Sequence, residues 1–242
     1  MTIRTALVTG ATDGIGLEIA RVLTARGAAV IGTGRNLPGE RDARFAACVQ
    51  WVRADQNDPT GAADAIAAAL PEPIDCAILC AGTGTVPNDP TGGEGAESIR
   101  RTLRVNLDAT ILVAHTLSSM LLQRGGTLVL VGSVARKGAA IMPSYAASKS
   151  GLHGFARALG EEWRGRATVV MLHPGPTRTA MHSKAGLELG FAKRLFVPAD
   201  VMARTIVART LRGHGTLRPH IADVAYRANV GRWLGSMLGP KR

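Results

Sequence analysis

Short runs of consecutive apolar residues alternate along this chain with longer segments of helical periodicity. Residues 6–9, 127–131 and 169–172 are typical of buried strands, whereas 15–26 places apolar residues at helical spacing. Strands that are apolar on both faces and separated by helices predict a parallel sheet covered on both sides. Right-handed crossovers then give an α/β, Rossmann-like, doubly wound sheet. Because no linker or repeat interrupts the pattern, we expect one domain over residues 1–242.

The remaining elements follow the same alternation of strands and helices. Further strands are expected at 29–31, 48–52 and 74–80. Asp58 followed by Pro59 is typical of an N-cap and first helical position, so a helix should run from there to Leu70. Two longer helices are predicted at 97–123 and 144–163.

Composition excludes several classes of protein. Lys plus Arg number 29 against 18 Asp plus Glu, a formal net charge of +11, which suggests a polyanion partner. The cations are scattered, however, and aromatic residues do not interleave with them, so we expect no nucleic acid partner. No apolar run approaches the ~20 residues of a membrane span. Three cysteines and six histidines lack metal-binding spacing, so we expect no metal, reduced thiols and a cytoplasmic protein.

A glycine-rich turn follows the first strand and opens a helix. It reads Thr9-Gly10-Ala11-Thr12-Asp13-Gly14-Ile15-Gly16. Glycines there permit a tight turn and a close approach of backbone to a ligand, and the helix N-terminus attracts a pyrophosphate. The turn therefore predicts a dinucleotide site.

Four further motifs follow in order, and together with this turn they resemble the short-chain dehydrogenase/reductase family over most of the chain. The motifs are Asn106 on the first long helix, Ser133 after the fifth strand, Tyr145-Ala146-Ala147-Ser148-Lys149, and Pro174-Gly175-Pro176-Thr177-Arg178-Thr179.

The resemblance implies a catalytic set and its chemistry. Tyr145 would exchange a proton with the oxygen of a carbonyl or alcohol substrate while NAD(P)(H) exchanges a hydride with its carbon. Ser133 would hold the substrate oxygen, Lys149 would bind the nicotinamide ribose, and Asn106 would position a water next to Lys149. From the residues themselves, Lys149 lies one helical turn from Tyr145, and its ammonium should favour the phenolate, bringing the pKa of Tyr145 toward neutrality.

The end of the second strand bears on which cofactor binds. Gly34 occupies the place where an acid would grip a free ribose 2′-hydroxyl, and Arg35 follows it. A guanidinium suits a 2′-phosphate, so NADP(H) is favoured, with NAD(H) as the alternative. Asp13 is evidence against NADP(H), since some NADP enzymes carry a base there. The full set of cofactor contacts expected is Thr9, Gly10, Thr12, Asp13, Gly14, Ile15, Gly16, Arg35, Asp55, Ala81, Gly82, Asn106, Tyr145, Lys149, Pro174, Gly175, Thr177 and Thr179.

Two segments depart from the family or vary within it. Residues 180–197 should form a substrate lid whose apolar and basic residues suit a hydrophobic or anionic carbonyl compound. Residues 222–238 place apolar positions at helical spacing and predict an amphipathic C-terminal helix that packs on protein rather than on a membrane.

These features predict an NADP(H)-dependent oxidoreductase acting on a small carbonyl or alcohol. The alternatives are an NAD(H)-dependent alcohol dehydrogenase and a non-catalytic dinucleotide-sensing regulator on the same scaffold. Apolar residues on the helices 97–123 and 144–163 predict a homodimer, with a homotetramer as the alternative.

Overall fold

The computed structural model describes residues 2–70, 74–84, 93–139, 142–179, 196–213 and 220–224. The helices are α1 (Gly14–Thr24), α2 (Pro59–Ala69), α3 (Ala96–Leu103), α4 (Ala109–Thr116), α5 (Ser118–Arg124), α6 (Pro143–Glu162) and α7 (Ala199–Gly213). The strands are β1 (Thr5–Thr9), β2 (Ala29–Gly34), β3 (Gln50–Arg53), β4 (Cys76–Leu79), β5 (Thr127–Val131), β6 (Thr168–Pro174), β7 (Thr177–Arg178), β8 (Val197–Pro198) and β9 (His220–Val224).

Seven of these strands form one parallel sheet in the order β3-β2-β1-β4-β5-β6-β9. The order reverses between β1 and β4, and ligands of such sheets bind at the carboxyl ends of the strands beside that reversal. The predicted α/β doubly wound fold is confirmed. The reversal places the glycine-rich turn after β1 next to the residues that follow β4.

Successive residues of the strands point to opposite faces, and each face is buried by its own helices. Val8 packs in the cluster that includes residues of α1 and α7. Leu7, its neighbour, packs in the cluster that includes residues of α2, α4 and α6. Because both faces are covered, the strands are apolar throughout rather than alternating, which is the pattern seen in the sequence.

The single helix expected over 97–123 is interrupted twice. Residues Arg104–Asp108 form a π-helical turn between α3 and α4. The segment from Ala96 to Thr116 then bends by 50° against α5. The Ser118 hydroxyl donates to the His115 carbonyl at 2.6 Å, and such a side-chain bond competes with the helical ladder at this junction.

The C-terminal helix expected from residue 222 is wrong for its first residues. Ala222, Asp223 and Val224 lie in β9, which pairs in parallel with β6 over Val170–Pro174. The periodicity of this segment is a local property, whereas β6 offers an open hydrogen-bonding edge that is distant in sequence. Pairing with that edge makes residues 222–224 a strand. The remainder of that predicted helix lies outside the described residues, and so do residues 180–195 of the predicted lid.

Candidate active site

The turn after β1 forms a concave backbone segment, called the cradle below, that suits a phosphate held by backbone N–H groups. Gly10 and Gly14 adopt φ of +67° and +56°, which side chains other than glycine rarely adopt. A Cβ on Gly16 would lie 2.2 Å from the Gly10 carbonyl oxygen, so only glycine lets α1 begin this close to β1. The Asp13 side chain caps the helix by accepting from the Gly14 N–H at 2.7 Å. This cradle fits a dinucleotide pyrophosphate at the N-terminus of α1.

The ends of β1 and β4 are joined by one hydroxyl. Thr9 Oγ1 accepts from the backbone N–H groups of Cys80 at 3.0 Å and Ala81 at 3.2 Å. Gly10 lies against Ala81, since a Cβ on Gly10 would lie 2.8 Å from the Ala81 Cα. The predicted cofactor residues Thr9, Gly10 and Ala81 are therefore in one crevice, with Gly82 on its exposed side.

The loop after β6 closes the other side of the cradle. A Cβ on Gly14 would lie 3.2 Å from Thr179 Cγ2, so the two residues are in close proximity although 165 positions separate them. Thr177 Oγ1 donates to the Gly175 carbonyl at 2.9 Å. The structure therefore brings the Pro174–Thr179 motif to the glycine-rich turn.

Tyr145, Lys149 and Ser133 meet at the carboxyl end of β5. Tyr145 and Lys149 lie one turn apart on α6, with the Lys149 Nζ 5.8 Å from the centre of the Tyr145 ring. The Tyr145 hydroxyl is hydrogen-bonded to the Ser133 side chain. Lys149 Nζ donates to the Val131 carbonyl of β5 at 3.1 Å. Tyr145 is 9% exposed and Lys149 is 4% exposed, so the cluster is largely withdrawn from water.

Burial, rather than the pair of residues alone, sets the charge of this cluster. Burial raises the pKa of Tyr145 above its usual value, and the hydrogen bond from Ser133 only partly opposes this. Burial also lowers the pKa of Lys149 to about 8. The expectation that Lys149 would bring the pKa of Tyr145 toward neutrality is therefore wrong for this geometry: desolvation penalises both charged forms. Tyr145 is a neutral phenol near pH 7, the form that donates a proton.

Asn106 is fully buried in the π-helical turn and holds two segments of the site together. Its side chain accepts from the Thr83 N–H at 2.7 Å and donates to the Thr83 carbonyl at 2.8 Å. It also donates to Ser148 Oγ at 3.1 Å. The amide thus connects the loop after β4 to α6 at Ser148, which lies between Tyr145 and Lys149 in the sequence. These bonds give Asn106 a positioning part; the water expected beside it stays a prediction.

Several residues at the site belong to none of the sequence motifs. Gly84 lies against the Tyr145 ring, since its Cβ would lie 3.2 Å from Tyr145 Cδ2. His153, one turn beyond Lys149, lies with its Nδ1 2.9 Å from His173 Nε2 on β6. A Cβ on Gly132 would lie 2.4 Å from His173 Nδ1. Helical spacing after Lys149 was the available signal for His153, but its partner comes from another element.

At the far end of the crevice, Thr12 lies against β2. A Cβ on Gly34 would lie 2.4 Å from Thr12 Cγ2, so the glycine where an acid was missing is also required for packing. Arg35 is exposed directly after Gly34, and Asp55 is exposed after β3. Both therefore lie at the carboxyl edge of the sheet, where the end of β2 is expected to face the 2′-position of the cofactor ribose. Ile15 packs half-buried against the core beneath the turn.

The part of the chain that the structure describes holds neither a group of metal-ligating side chains nor a single membrane-spanning helix. There, no group of three or more His, Cys, Asp or Glu side chains is arranged to hold a metal ion. Nor is any single described helix long and apolar enough to cross a membrane; one pair, Ala96–Thr116 with Ser118–Arg124, has the length and composition only together and across its 50° bend. The Cys80 thiol at the crevice has its pKa raised to about 11 by burial.

Known proteins share this sequence pattern. A family model described as short chain dehydrogenase matches residues 4–189. The chain is 34% identical over 215 residues to the uncharacterized oxidoreductase YciK of Escherichia coli (strain K12), covering 82% of this chain and 83% of that protein. It is 30% identical over 181 residues to the 3-oxoacyl-[acyl-carrier-protein] reductase FabG of Salmonella typhimurium, covering 73% and 74%. It is 33% identical over 192 residues to galactitol 2-dehydrogenase (L-tagatose-forming) of Cereibacter sphaeroides, covering 74% and 73%.

Solved structures are similar over nearly the whole chain. A short chain dehydrogenase from Shigella flexneri complexed with NADP has a TM-score of 0.74 at 28% identity, covering 91% of this chain and 96% of that chain. An actinorhodin polyketide ketoreductase variant with NADPH has a TM-score of 0.77 at 25% identity, covering 92% and 96%. With the family model matching most of its length, this chain belongs to the short-chain dehydrogenase family and is an NAD(P)-dependent oxidoreductase.

Proposed function

We propose that this chain is an NADP(H)-dependent carbonyl reductase, working in reverse as an alcohol dehydrogenase, with Tyr145 as general acid and base. The observation that carries the proposal is the buried cluster in which the Tyr145 hydroxyl meets Ser133, with Lys149 one turn away. When bound, the cofactor supplies or accepts the hydride. The protein's part is to hold the substrate oxygen and to move its proton.

Each side chain has one task in this scheme. Ser133 donates a hydrogen bond to the substrate oxygen and stabilises the charge that develops on it. Tyr145, neutral because burial raises its pKa, gives its phenolic proton to that oxygen. The phenolate left behind is stabilised by the Lys149 ammonium, which is present below about pH 8 because that is the pKa to which burial lowers it. Asn106 keeps the Thr83 loop and α6 in register for these contacts.

Reduction is the direction that the charge state supports. A neutral phenol is ready to donate, whereas oxidation of an alcohol needs the phenolate as base. Because burial disfavours the phenolate, we expect reduction to be faster at neutral pH and oxidation to gain as pH rises.

Arg35 is the residue on which the preference for NADP(H) depends. Its guanidinium follows the end of β2 without an acid before it, and it suits a 2′-phosphate by charge-assisted hydrogen bonds. NADP and NADPH in similar structures support this choice. We expect Arg35→Ala to weaken NADPH binding roughly 10- to 100-fold and to leave NADH nearly unchanged. Equal losses for both cofactors would instead favour the NAD(H)-dependent alternative.

Relatives of similar identity point to two substrate classes. They include a 3-oxoacyl-[acyl-carrier-protein] reductase and an acetoacetyl-CoA reductase on one side, and galactitol 2-dehydrogenase and D-threitol dehydrogenase on the other. The test of the proposed function is therefore NADPH oxidation, followed at 340 nm, with 3-oxoacyl thioesters and ketoses as two sets of substrates. Turnover that is lost in Tyr145→Phe supports the proposal. Tight cofactor binding without turnover of any carbonyl would support the dinucleotide-sensing regulator.

Assembly as a homodimer through α4 and α6 belongs to the same proposal. Among the apolar residues of the helices predicted at 97–123 and 144–163, Leu117, Leu121, Leu152 and Ala156 are buried in the core of the single chain. Four others are only half-buried, and a second copy of the chain would cover them. They are Ile111 and, packed against the core, Leu112, Phe155 and Leu159. Light scattering should give about twice the chain mass of 25.3 kDa. A value equal to one chain would refute the dimer, and four times that mass would indicate the tetramer.

A further inference from the structure

A second arginine reaches the end of the crevice where Arg35 lies. Arg44 directly precedes the short 3₁₀ turn Phe45–Ala47. Its Nη1 donates to the Thr12 carbonyl at 3.1 Å, across 32 positions of sequence. The loop after β2 is thereby drawn back onto the glycine-rich turn.

Thr12 places the two arginines in the same corner. Its side chain lies against Gly34, as the 2.4 Å approach of a Cβ there demonstrates, and Arg35 is the next residue. Its carbonyl oxygen is held by Arg44. Arg35 directly follows the glycine that the Thr12 side chain contacts, and Arg44 donates to the Thr12 carbonyl. Both arginines therefore belong to segments that meet Thr12 where β2 ends beside the glycine-rich turn. We call Thr12, Arg35, Asp42 and Arg44 the ribose corner.

Asp42 fixes the orientation of the Arg44 side chain. Its carboxylate accepts from Arg44 Nε at 2.9 Å and also from Nη2, and it accepts from the Arg44 backbone N–H at 2.8 Å. These hydrogen bonds lower the pKa of Asp42 to about 2. A guanidinium has five N–H groups. With Nε, one Nη2 hydrogen and one Nη1 hydrogen engaged by described residues, each terminal nitrogen keeps one N–H for a further acceptor.

Such an arrangement is suited to a phosphate. An arginine that is already ordered by a carboxylate loses less side-chain entropy when it binds a ligand, and its remaining edge can receive two phosphate oxygens. The exposed side chain of Arg44, 45% accessible, leaves room for this.

Arg44 also lies near the acid that is evidence against NADP(H). Asp13 stands in the turn at the place where a base would assist a 2′-phosphate. The Asp13 carboxylate contributes, after Asp42, to raising the pKa of Arg44, so the two charges lie within electrostatic range. A positive charge from the loop after β2 therefore lies near the acidic position of the turn.

We propose that Arg44 is a second ligand for the 2′-phosphate of NADP(H), acting together with Arg35. The inference rests on the proposed NADP(H) preference. It assigns a specificity-determining part to a residue outside the glycine-rich turn and outside the end of β2.

The test is calorimetric and needs no substrate. Adenosine 2′,5′-bisphosphate and adenosine 5′-monophosphate are titrated into the wild-type protein and into Arg35→Ala, Arg44→Ala, Arg44→Lys and Arg41→Ala. Arg41 is the matched control, since it is exposed in the same loop and its removal changes the charge equally. We expect Arg44→Ala to lower affinity for the bisphosphate roughly tenfold, with 5′-monophosphate affinity unchanged. Arg44→Lys should lose part of this affinity because an ammonium lacks the fork, and Arg41→Ala should stay within about twofold of wild type.

Each contrary result has a distinct meaning. If the wild-type protein binds both nucleotides equally, the NADP(H) preference itself fails. If Arg35→Ala loses the preference while Arg44→Ala matches Arg41→Ala, only the inference about Arg44 is overturned. If Arg44→Ala weakens both nucleotides equally, Arg44 serves to shape the turn through Thr12 and does not bind the 2′-phosphate.

Discussion

Two corners of one crevice control charge by opposite means. In the catalytic corner, made of Ser133, Tyr145 and Lys149, burial raises the pKa of the tyrosine and lowers that of the lysine to about 8. In the ribose corner, the two arginines are exposed and Asp42 is half-buried, and the pKa of Asp42 falls to about 2 because Arg44 donates to it. Desolvation suppresses charge in the first corner, while ion pairing retains it in the second.

The two corners govern different properties of the enzyme. A proton must move within the catalytic corner, so its groups need neutral forms within reach of physiological pH. The ribose corner is proposed to hold a phosphate that carries nearly two negative charges at pH 7, so its groups need to stay charged and oriented. Changes in the catalytic corner should therefore alter the rate of turnover, and changes in the ribose corner should alter which cofactor binds.

The largest effect is expected from removing the catalytic proton donor. Tyr145→Phe should lower kcat at least ~100-fold, because general acid catalysis is lost while the ring is retained. NADPH binding, measured by fluorescence titration, should be largely retained because the ring stays in place, and it serves as the control for folding. A variant that binds cofactor and keeps wild-type kcat would refute the assigned role of Tyr145.

The pH dependence of reduction should reveal the buried lysine. Because the pKa of Lys149 is lowered to about 8, its ammonium is present below that pH and is lost above it. Tyr145, whose pKa is raised, keeps its proton over the same range. We expect kcat for reduction to fall about tenfold by one pH unit above the pKa of Lys149, while NADPH affinity falls less. A profile that stays flat to pH 10 would contradict the dependence on Lys149.

A methyl group behind the catalytic corner should disturb it indirectly. Gly132→Ala would place a Cβ 2.4 Å from His173 Nδ1 and 2.6 Å from Met171 Cε, next to Ser133. We expect a loss of ~1–3 kcal/mol in the free energy of unfolding from overpacking and a reduced kcat. Gly39→Ala, whose Cβ would meet nothing within 4 Å, is the matched control. Equal free energies of unfolding for the two variants would show that the His153–His173 pair shifts to admit the methyl group without loss of stability.

Salt should separate the two corners with the smallest effect. Raising ionic strength screens exposed charges much more than buried ones. NADPH affinity should therefore fall a few-fold between low and high salt, whereas NADH affinity and kcat change little. Parallel losses for the two cofactors would show that the ribose corner contributes no selective charge.

Much of the catalytic corner could be predicted because its residues are close in sequence. Tyr145 and Lys149 share a helix face by their spacing of four, and the glycine-rich turn is a continuous segment. The direction of the Tyr145 pKa shift could not be predicted in this way, since it depends on burial, and burial involves residues distant in sequence, such as Gly84 beside the ring. Arg44 and β9 were missed for a related reason: one acquires its meaning from Thr12 and the other from the edge of β6.

The most direct test of the account follows the transferred atoms. NADPH deuterated on the transferring face of the nicotinamide is incubated with the wild-type protein and each carbonyl compound of the two substrate sets, and the products are analysed by mass spectrometry. We predict that the wild-type protein forms an alcohol with one deuterium on the former carbonyl carbon, and that Tyr145→Phe forms at least ~100-fold less of it. Binding of the deuterated cofactor without deuterium in any product, or equal labelling by the Tyr145→Phe variant, would contradict it.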